Sequence, residues 1–289
     1  MATTADGYGM AQWQGKTALV TGASNGIGAA LAGRLLREGM HVVGCARRQD
    51  RVAEVLTAAD TSGQNSLAVE CDVRDEKSVQ KAFAAARKRF GGVDVLINNA
   101  GVGITGPIEE IPEFEIKSNF ETNFFGPINV IKAVLPKMRE QRSGLIINIT
   151  SIAGYMGLPY RGIYSASKGA FELVTEAFRM ELKEFNIKMT NVAPGDFATN
   201  IASGRFHAPV QENSPYKKSY GNSLQLIDEH VNDGKDPLFM AKAVYKVMNT
   251  KQPKIHYKVG EFMQKFSIVL KRILPDKVYE KLLLNHYKL

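Results

Sequence analysis

For some two hundred residues this chain alternates short apolar runs with stretches of helical spacing, and nothing else in it restricts the fold as much. Thr17–Thr21 is followed by a helical pattern over Ile27–Arg37, which Gly39 stops. His41–Cys45 precedes a helix near Arg51–Ala59, and Ser66–Cys71 precedes a helix from Glu76 to Phe90 with Asp75 placed to cap it. Val93–Ile97, Leu145–Ile149 and Lys188–Val192 are further apolar runs, and Ile255–Val259 follows a helix opened by Asp236-Pro237. Continuous apolar strands suit a sheet covered on both faces. Repeated strand–helix units close as a parallel, doubly wound α/β sheet with right-handed crossovers. Ligands bind such sheets at the carboxyl ends of their strands.

The chain's 289 residues, 44% hydrophobic and 23% charged, are those of a soluble globular protein with a self-sufficient core. Cys45 and Cys71 lie in apolar runs, outside any metal-ligand spacing, and read as buried reduced thiols, which suits a cytoplasmic location. The first fifteen residues lack the apolar core of a secretory signal, and no stretch approaches the ~18 apolar residues of a membrane span. The expected organisation is a flexible arm over 1–14, one domain over 15–260 and an amphipathic helical tail over 261–289. Within the domain a cofactor half (15–101) precedes a catalytic and substrate half (102–260). The polar segment Ile201–Gly234 reads as irregular, part of a lid over 196–234. There are no internal repeats.

Two compositional asymmetries stand out. Residues 1–101 hold 18 alanines and 4 lysines, whereas 102–289 hold 11 alanines and 19 lysines. The switch fits either a chimera of two related parents joined near residue 101 or drift between the two functional halves. From Gly204 onward 15 lysines and arginines face 8 acidic residues, so nearly all of the net charge of +8 lies there. No nucleic-acid-binding motif accompanies that charge.

The first apolar run leads directly into Thr21-Gly22-Ala23-Ser24-Asn25-Gly26-Ile27-Gly28, which opens a helix. Glycines here let the backbone turn sharply and approach a pyrophosphate, while free N–H groups at the helix start face the anion. Strand before and helix after make this a dinucleotide loop on a Rossmann-like fold. The second run ends Gly44-Cys45-Ala46-Arg47-Arg48, where an enzyme using NAD would usually carry an acidic residue for the ribose 2′-hydroxyl. Guanidinium groups suit a 2′-phosphate instead. The cofactor expected is therefore NADP(H), with Arg47 the first contact and Arg48 the second. Asp72, closing the third run before Val73, either accepts from the adenine amino group or caps the next loop.

The ordered set of motifs resembles the short-chain dehydrogenases/reductases over roughly residues 15 to 260. It comprises the TGxxxGIG form of Thr21–Gly28, Asn98-Asn99-Ala100-Gly101, then Asn123, Ser151, Tyr164-xxx-Lys168, Pro194-Gly195 and Thr199. The resemblance implies catalysis by Asn123, Ser151, Tyr164 and Lys168. It implies dinucleotide contacts from Gly22, Ser24, Asn25, Gly26, Ile27, Gly28, Val73, Asn98, Asn99, Ala100 and Gly101, and also from Tyr164, Lys168, Ile149, Pro194, Gly195, Phe197 and Thr199. No metal is implied. A homodimer or homotetramer pairing the helices near Phe114–Glu140 and Gly162–Phe185 is a further implication. The family often has an aliphatic residue where Phe197 stands.

Elementary chemistry supports these roles. Reducing a ketone needs a hydride from the nicotinamide and a proton from the protein. A phenol ordinarily titrates near ~10, and a neighbouring ammonium favours its anion. Tyr164 and Lys168, four apart, share one helix face. Ser151 can donate to the substrate oxygen as it gains charge. The resemblance implies that Asn123 anchors a water leading from Lys168 to bulk, whereas the residue by itself fits equally a break in its helix.

Ile104, Met156, Leu158, Tyr160, Phe197 and Phe206 are expected to wall an apolar pocket with few fixed charges, with core or lid packing the alternative for Met156 and Phe206, so a lipophilic carbonyl or secondary alcohol, steroid-, retinoid- or acyl-like, is the expected substrate. In the tail, Phe262, Met263, Phe266, Ile268, Val269, Leu270, Ile273 and Leu274 are interspersed with Lys265, Lys271 and Arg272. Pro275 interrupts this stretch before a second one over Val278–Leu284. Such stripes pack on the parent domain or cap the substrate, with peripheral membrane contact the alternative. A dinucleotide-sensing module without chemistry is the rival class, and the intact Tyr164–Lys168 pair argues against it.

Overall fold

The computed structural model describes residues 12–197, 204–232 and 234–289. Its strands are β1 (Thr17–Thr21), β2 (His41–Ala46), β3 (Ser66–Glu70), β4 (Val95–Asn98), β5 (Ile104–Thr105), β6 (Gly144–Ile149), β7 (Ile187–Pro194), β8 (Phe206–His207) and β9 (His256–Val259). Seven of them form one parallel sheet in the order β3-β2-β1-β4-β6-β7-β9, while β5 and β8 pair separately. The helices are α1 (Gly26–Arg37), α2 (Gln49–Ala59), α3 (Glu76–Phe90), α4 (Glu113–Phe120), α5 (Gly126–Gln141), α6 (Gly162–Glu181), α7 (Lys217–Asn232), α8 (Pro237–Met248), α9 (Phe262–Ile273) and α10 (Asp276–His286). This is the Rossmann-like α/β architecture that the strand–helix alternation predicts.

Every residue of β1 is buried because both faces of the sheet are covered. Ala18 and Val20 point into a core shared with Leu31 and Leu35 of α1, Val52 of α2 and Val244 of α8. Leu19 points the other way, into a core with Val79 of α3, Ile131 of α5 and Phe171 of α6. Strand order reverses between β1 and β4, so their carboxyl ends open a crevice there. Of the expected N-terminal arm, Gln12 and Trp13 are tied to Asn249 Oδ1 at 3.2 and 3.1 Å. Cys45 and Cys71 are buried free thiols.

The segment Ile201–Gly234 is not irregular throughout. Its second half is α7, although Ser219, Gly221, Asn222 and Ser223 are poor helix formers. Tertiary contacts override that propensity. Fully buried Tyr220 donates to the carbonyls of Ala208 (2.9 Å) and Thr105 (3.3 Å), and its ring lies 5.2 Å from that of Tyr160.

The tail folds as two helices broken at Pro275. A capping box between Glu261 and Gln264 starts α9. Ile268 and Tyr279 then pack with Ile152, Met156 and Ala193, beside the turn that follows β6. Among the described residues, no helix is long and apolar enough to cross a membrane.

Candidate active site

The crevice at the β1/β4 reversal opens into a cavity of about 1020 Å³. At one end lies the loop from β1 into α1. Gly22 and Gly26 hold φ of +66° and +53°, a conformation open to glycine without strain. The start of α1 has no side-chain cap, so its first N–H groups remain for an anion. A Cβ on Gly28 would sit 2.1 Å from the Gly22 carbonyl oxygen. Asn99 completes the cradle: its Nδ2 donates to the Thr21 carbonyl at 3.0 Å, and Thr21 Oγ1 accepts from the Asn99 and Ala100 amides, both at 3.0 Å.

Arg47, Arg48 and Arg74 line the same end. Arg74 grips Asp72 through Nη2 (2.6 Å) and Nε (2.9 Å), and these bonds hold the Asp72 carboxyl below the usual carboxylate range. Asp72 Oδ1 also accepts from the Arg74 amide at 3.1 Å. Asp72 thus caps its loop, as one of its two expected roles required, while still facing the cavity.

Midway along the cavity lie Ser151, Tyr164 and Lys168. Tyr164 and Lys168 are one turn apart on α6, and Ser151 starts the turn after β6. Ser151 Oγ accepts from the Ala153 amide (3.1 Å), which leaves its own proton available to a ligand. Lys168 Nζ donates to the Ile149 carbonyl at 3.2 Å. Burial lowers the pKa of Lys168, opposed by the neighbouring Tyr164 and Glu172. The Arg161 guanidinium stands 5.6 Å from the centre of the Tyr164 ring.

Asn123 occupies a π-helical turn, Glu121–Phe125, between α4 and α5. Its Nδ2 donates to the Val102 carbonyl (2.9 Å) and Ser167 Oγ (3.2 Å), and its Oδ1 accepts from the Val102 amide (2.9 Å). It is fully buried and lies behind the cavity wall. A Cβ on Gly101 would lie 3.2 Å from both Asn123 Oδ1 and Lys168 Nζ, so the Gly101 backbone closes the space between them.

The far end is built by the tail. Met263, Gln264, Ser267 and Leu270 of α9 and Tyr279, Leu282, Leu283 and His286 of α10 line the cavity opposite Met156, Leu158 and Phe197. The Tyr279 hydroxyl lies 2.8 Å from Met156 Sδ, and Gln264 Nε2 donates to Asp196 Oδ2 at 2.7 Å.

Residues 16–209 match the profile of the family described as short chain dehydrogenase. The chain belongs to that family. It is 39% identical to a 3-ketodihydrosphingosine reductase of Bacteroides thetaiotaomicron over 91% of this chain and 94% of that one. A short chain dehydrogenase/reductase of Burkholderia phymatum, solved in complex with NAD, superposes with a TM-score of 0.80 at 25% identity, covering 90% and 94% of the two chains. An alcohol dehydrogenase of the archaeon Thermococcus sibiricus, complexed with 5-hydroxy-NADP, does so with 0.71 at 26% identity, covering 86% and 97%. This short chain dehydrogenase is thus an oxidoreductase of CH–OH and C=O groups, with a nicotinamide dinucleotide as its cofactor class.

Most of the sequence-predicted site comes together in this dehydrogenase. Gly22, Ser24, Asn25, Gly26, Ile27, Arg47, Arg48, Asp72, Val73, Asn99, Ala100, Gly101, Ile149, Ser151, Tyr164, Lys168, Pro194, Gly195 and Phe197 all line the cavity. Thr199 lies outside the described residues. Gly28 is not a lining residue, because its role is to let α1 press against Gly22. Nor is Asn98, whose Nδ2 donates to Asn148 Oδ1 at 3.0 Å in the sheet.

The expected substrate wall needs correction. Met156, Leu158 and Phe197 line the cavity, whereas Ile104, Tyr160 and Phe206 do not and pack in a satellite core with Tyr220. The pocket also carries more charge than expected, from Arg161, Asp196 and Arg205. Arg74 was missed, and the tail was expected to pack on the domain or cap the substrate without its individual lining residues being assigned to the site. Only its place two residues beyond Asp72 could have pointed to Arg74, and no local pattern shows that the tail returns to Met156.

Proposed function

We propose that this chain is an NADP(H)-dependent reductase of a lipophilic ketone or aldehyde, able to oxidise the matching secondary alcohol, with Tyr164 as its general acid and base. The carrying observation is one continuous cavity. It runs from Arg47, Arg48 and Arg74, past Ser151, Tyr164 and Lys168, to a chamber walled by Met156, Leu158, Leu270, Leu282 and Leu283.

The cradle fits a dinucleotide phosphate on its own features: the uncapped start of α1, the glycine turn that a Cβ would block, and three guanidinium groups. A pyrophosphate would rest on the N–H groups of Gly26 and Ile27, and a ribose 2′-phosphate on Arg47 first and Arg48 second. When bound, NADPH supplies the hydride. Ser151 donates its free proton to the carbonyl oxygen and polarises it. Tyr164 passes the phenolic proton to that oxygen as it becomes an alcohol. Lys168, anchored on the Ile149 carbonyl, holds the ribose hydroxyls and keeps positive charge beside Tyr164. Asn123 acts through Val102 and Ser167, fixing the wall behind Lys168. The buried free thiols suit a reducing cytoplasm.

The name of the Bacteroides relative supports a long-chain substrate, since a 3-ketodihydrosphingosine carries its ketone near one end of a long alkyl chain. The apolar chamber supplies the matching surface. Exposed Phe114, Phe125, Leu173 and Met180, on or beside the helices expected to pair, suit association with a second copy.

The test is NADPH oxidation by a series of ketones of increasing alkyl length, repeated with NADH. The proposal expects kcat/KM to rise with chain length and to favour NADPH. Flat dependence on length would overturn the lipophilic substrate. Tight NADPH binding without turnover of any ketone, aldehyde or alcohol would leave a sensing module.

A further inference from the structure

The cavity uses only one side of the tail. On α9, Gln264, Ser267 and Leu270 turn inward and Ile268 is buried. Phe262, Phe266, Val269 and Ile273 recur at helical spacing on the opposite side and are exposed, Phe262 at 69% and Ile273 at 68%. The Phe262 and Phe266 rings stack at 5.6 Å, Phe262 largely exposed and Phe266 partly so.

Three further observations bear on what meets this stripe. The apolar surface extends beyond α9: Lys235 Nζ is 4.6 Å from the Phe239 ring and 2.9 Å from Glu261 Oε1, which brings exposed Leu238 and Phe239 beside the start of α9. Charge around it is one-sided. Residues 261–289 carry six basic and three acidic side chains, and two of the acids, Glu261 and Asp276, are already paired with Lys235 and Lys271. Lys265 and Arg272 flank the stripe on one side. Finally, Met263 and Leu282 each line the cavity while remaining exposed, at 65% and 46%, so the cavity mouth adjoins the apolar surface.

We infer that the outer face of α9, with Leu238 and Phe239, seats on an anionic lipid bilayer and that a lipid carbonyl substrate enters from that bilayer between Met263 and Leu282. The inference deepens the reductase reading and rests on it for the substrate alone. Apolar side chains sink into the acyl boundary while Lys265 and Arg272 meet headgroup phosphates. A second copy would bring like charges on this tail together, which disfavours a symmetric pairing here.

The test uses the full chain, with vesicles of phosphatidylcholine alone or with anionic phosphatidylglycerol, read by co-sedimentation. Wild type should partition onto the anionic vesicles at least about tenfold better than onto neutral ones, with loss in high salt. A Phe262→Ser, Val269→Ser, Ile273→Ser variant should lose at least about tenfold in partition. Its melting temperature and its turnover of a water-soluble ketone should match wild type, because none of the three lines the cavity. Lys265→Glu with Arg272→Glu should remove the preference for anionic vesicles. The inference falls if wild type stays in the supernatant, if the serine variant partitions like wild type, or if sedimentation velocity shows the stripe holding two copies together. Partition is read without turnover, so failure of the reductase reading would show separately, as vesicle binding with no carbonyl reduced.

Discussion

Glu172 Oε2 lies 2.7 Å from His256 Nδ1, and this contact joins the helix that carries Tyr164 and Lys168 to the last strand of the sheet. Glu172 is buried one turn beyond Lys168 and gathers the whole neighbourhood. Thr150 and Tyr155, on either side of Ser151, both donate to it, as does Asn191 Nδ2 at 3.0 Å. On its other side His256 Nε2 meets Glu176 Oε1 at 3.0 Å. Lys258 stands over the Tyr155 ring at 5.0 Å, and Arg272 acts on both Tyr155 and Lys258 from the tail. A single carboxylate therefore ties the Ser151 loop to the Tyr164 helix.

This arrangement makes stability depend on pH. The bond to Glu172, then its charge and that of Glu176, raise His256 above its ordinary value near 6.5. A raised folded-state pKa contributes stability that is complete below the unfolded value and is lost as pH rises through the folded one. His256→Asn should therefore lower the melting temperature most below pH about 6.5, by an amount corresponding to about 1–3 kcal/mol. The gap should narrow as pH climbs. Thermal unfolding followed across pH checks this, and a gap that widens with pH contradicts it.

Gly28 is needed for space rather than contact. A Cβ there would meet the Gly22 carbonyl oxygen at 2.1 Å and Asn99 Nδ2 at 2.6 Å, both parts of the phosphate cradle. Gly28→Ala should cost about 1–3 kcal/mol of stability and weaken NADPH binding by at least about tenfold. Calorimetry with NADPH, alongside thermal unfolding, reads both effects.

Arg47 should separate the two dinucleotides. Losing a charge-assisted bond to a 2′-phosphate costs about 1.5–3 kcal/mol, so Arg47→Ala should weaken NADPH about 10- to 100-fold. NADH, which has no phosphate there, should change by less than about threefold. Titration of the protein's fluorescence with each dinucleotide gives the two ratios.

The parts of this molecule legible in its sequence are those whose signal is local. β1, buried on both faces, reads as an unbroken apolar run, and the glycine loop sits directly behind it. Tyr164 and Lys168 read as a pair because one helical turn joins them. Legibility fails where partners are distant along the chain. α7 forms because Tyr220 finds carbonyls at Thr105 and Ala208, which its own poor helix formers do not reveal. Ile104 and Phe206 belong to that same satellite core, so of the expected substrate wall Met156, Leu158 and Phe197 line the cavity. The far wall of the cavity depends on Tyr279 returning to Met156 across more than a hundred residues. The amphipathic tail announced two faces without saying which would be covered.

On the proposed function, Tyr164 exchanges a proton with a carbonyl substrate reduced by NADPH. The most direct test is NADPH oxidation by a long-chain ketone, with wild type and Tyr164→Phe compared and NADPH binding measured on both. In the variant kcat should fall about 10²- to 10⁴-fold while the NADPH dissociation constant stays within about threefold. Turnover by Tyr164→Phe at the wild-type rate would contradict that role for Tyr164.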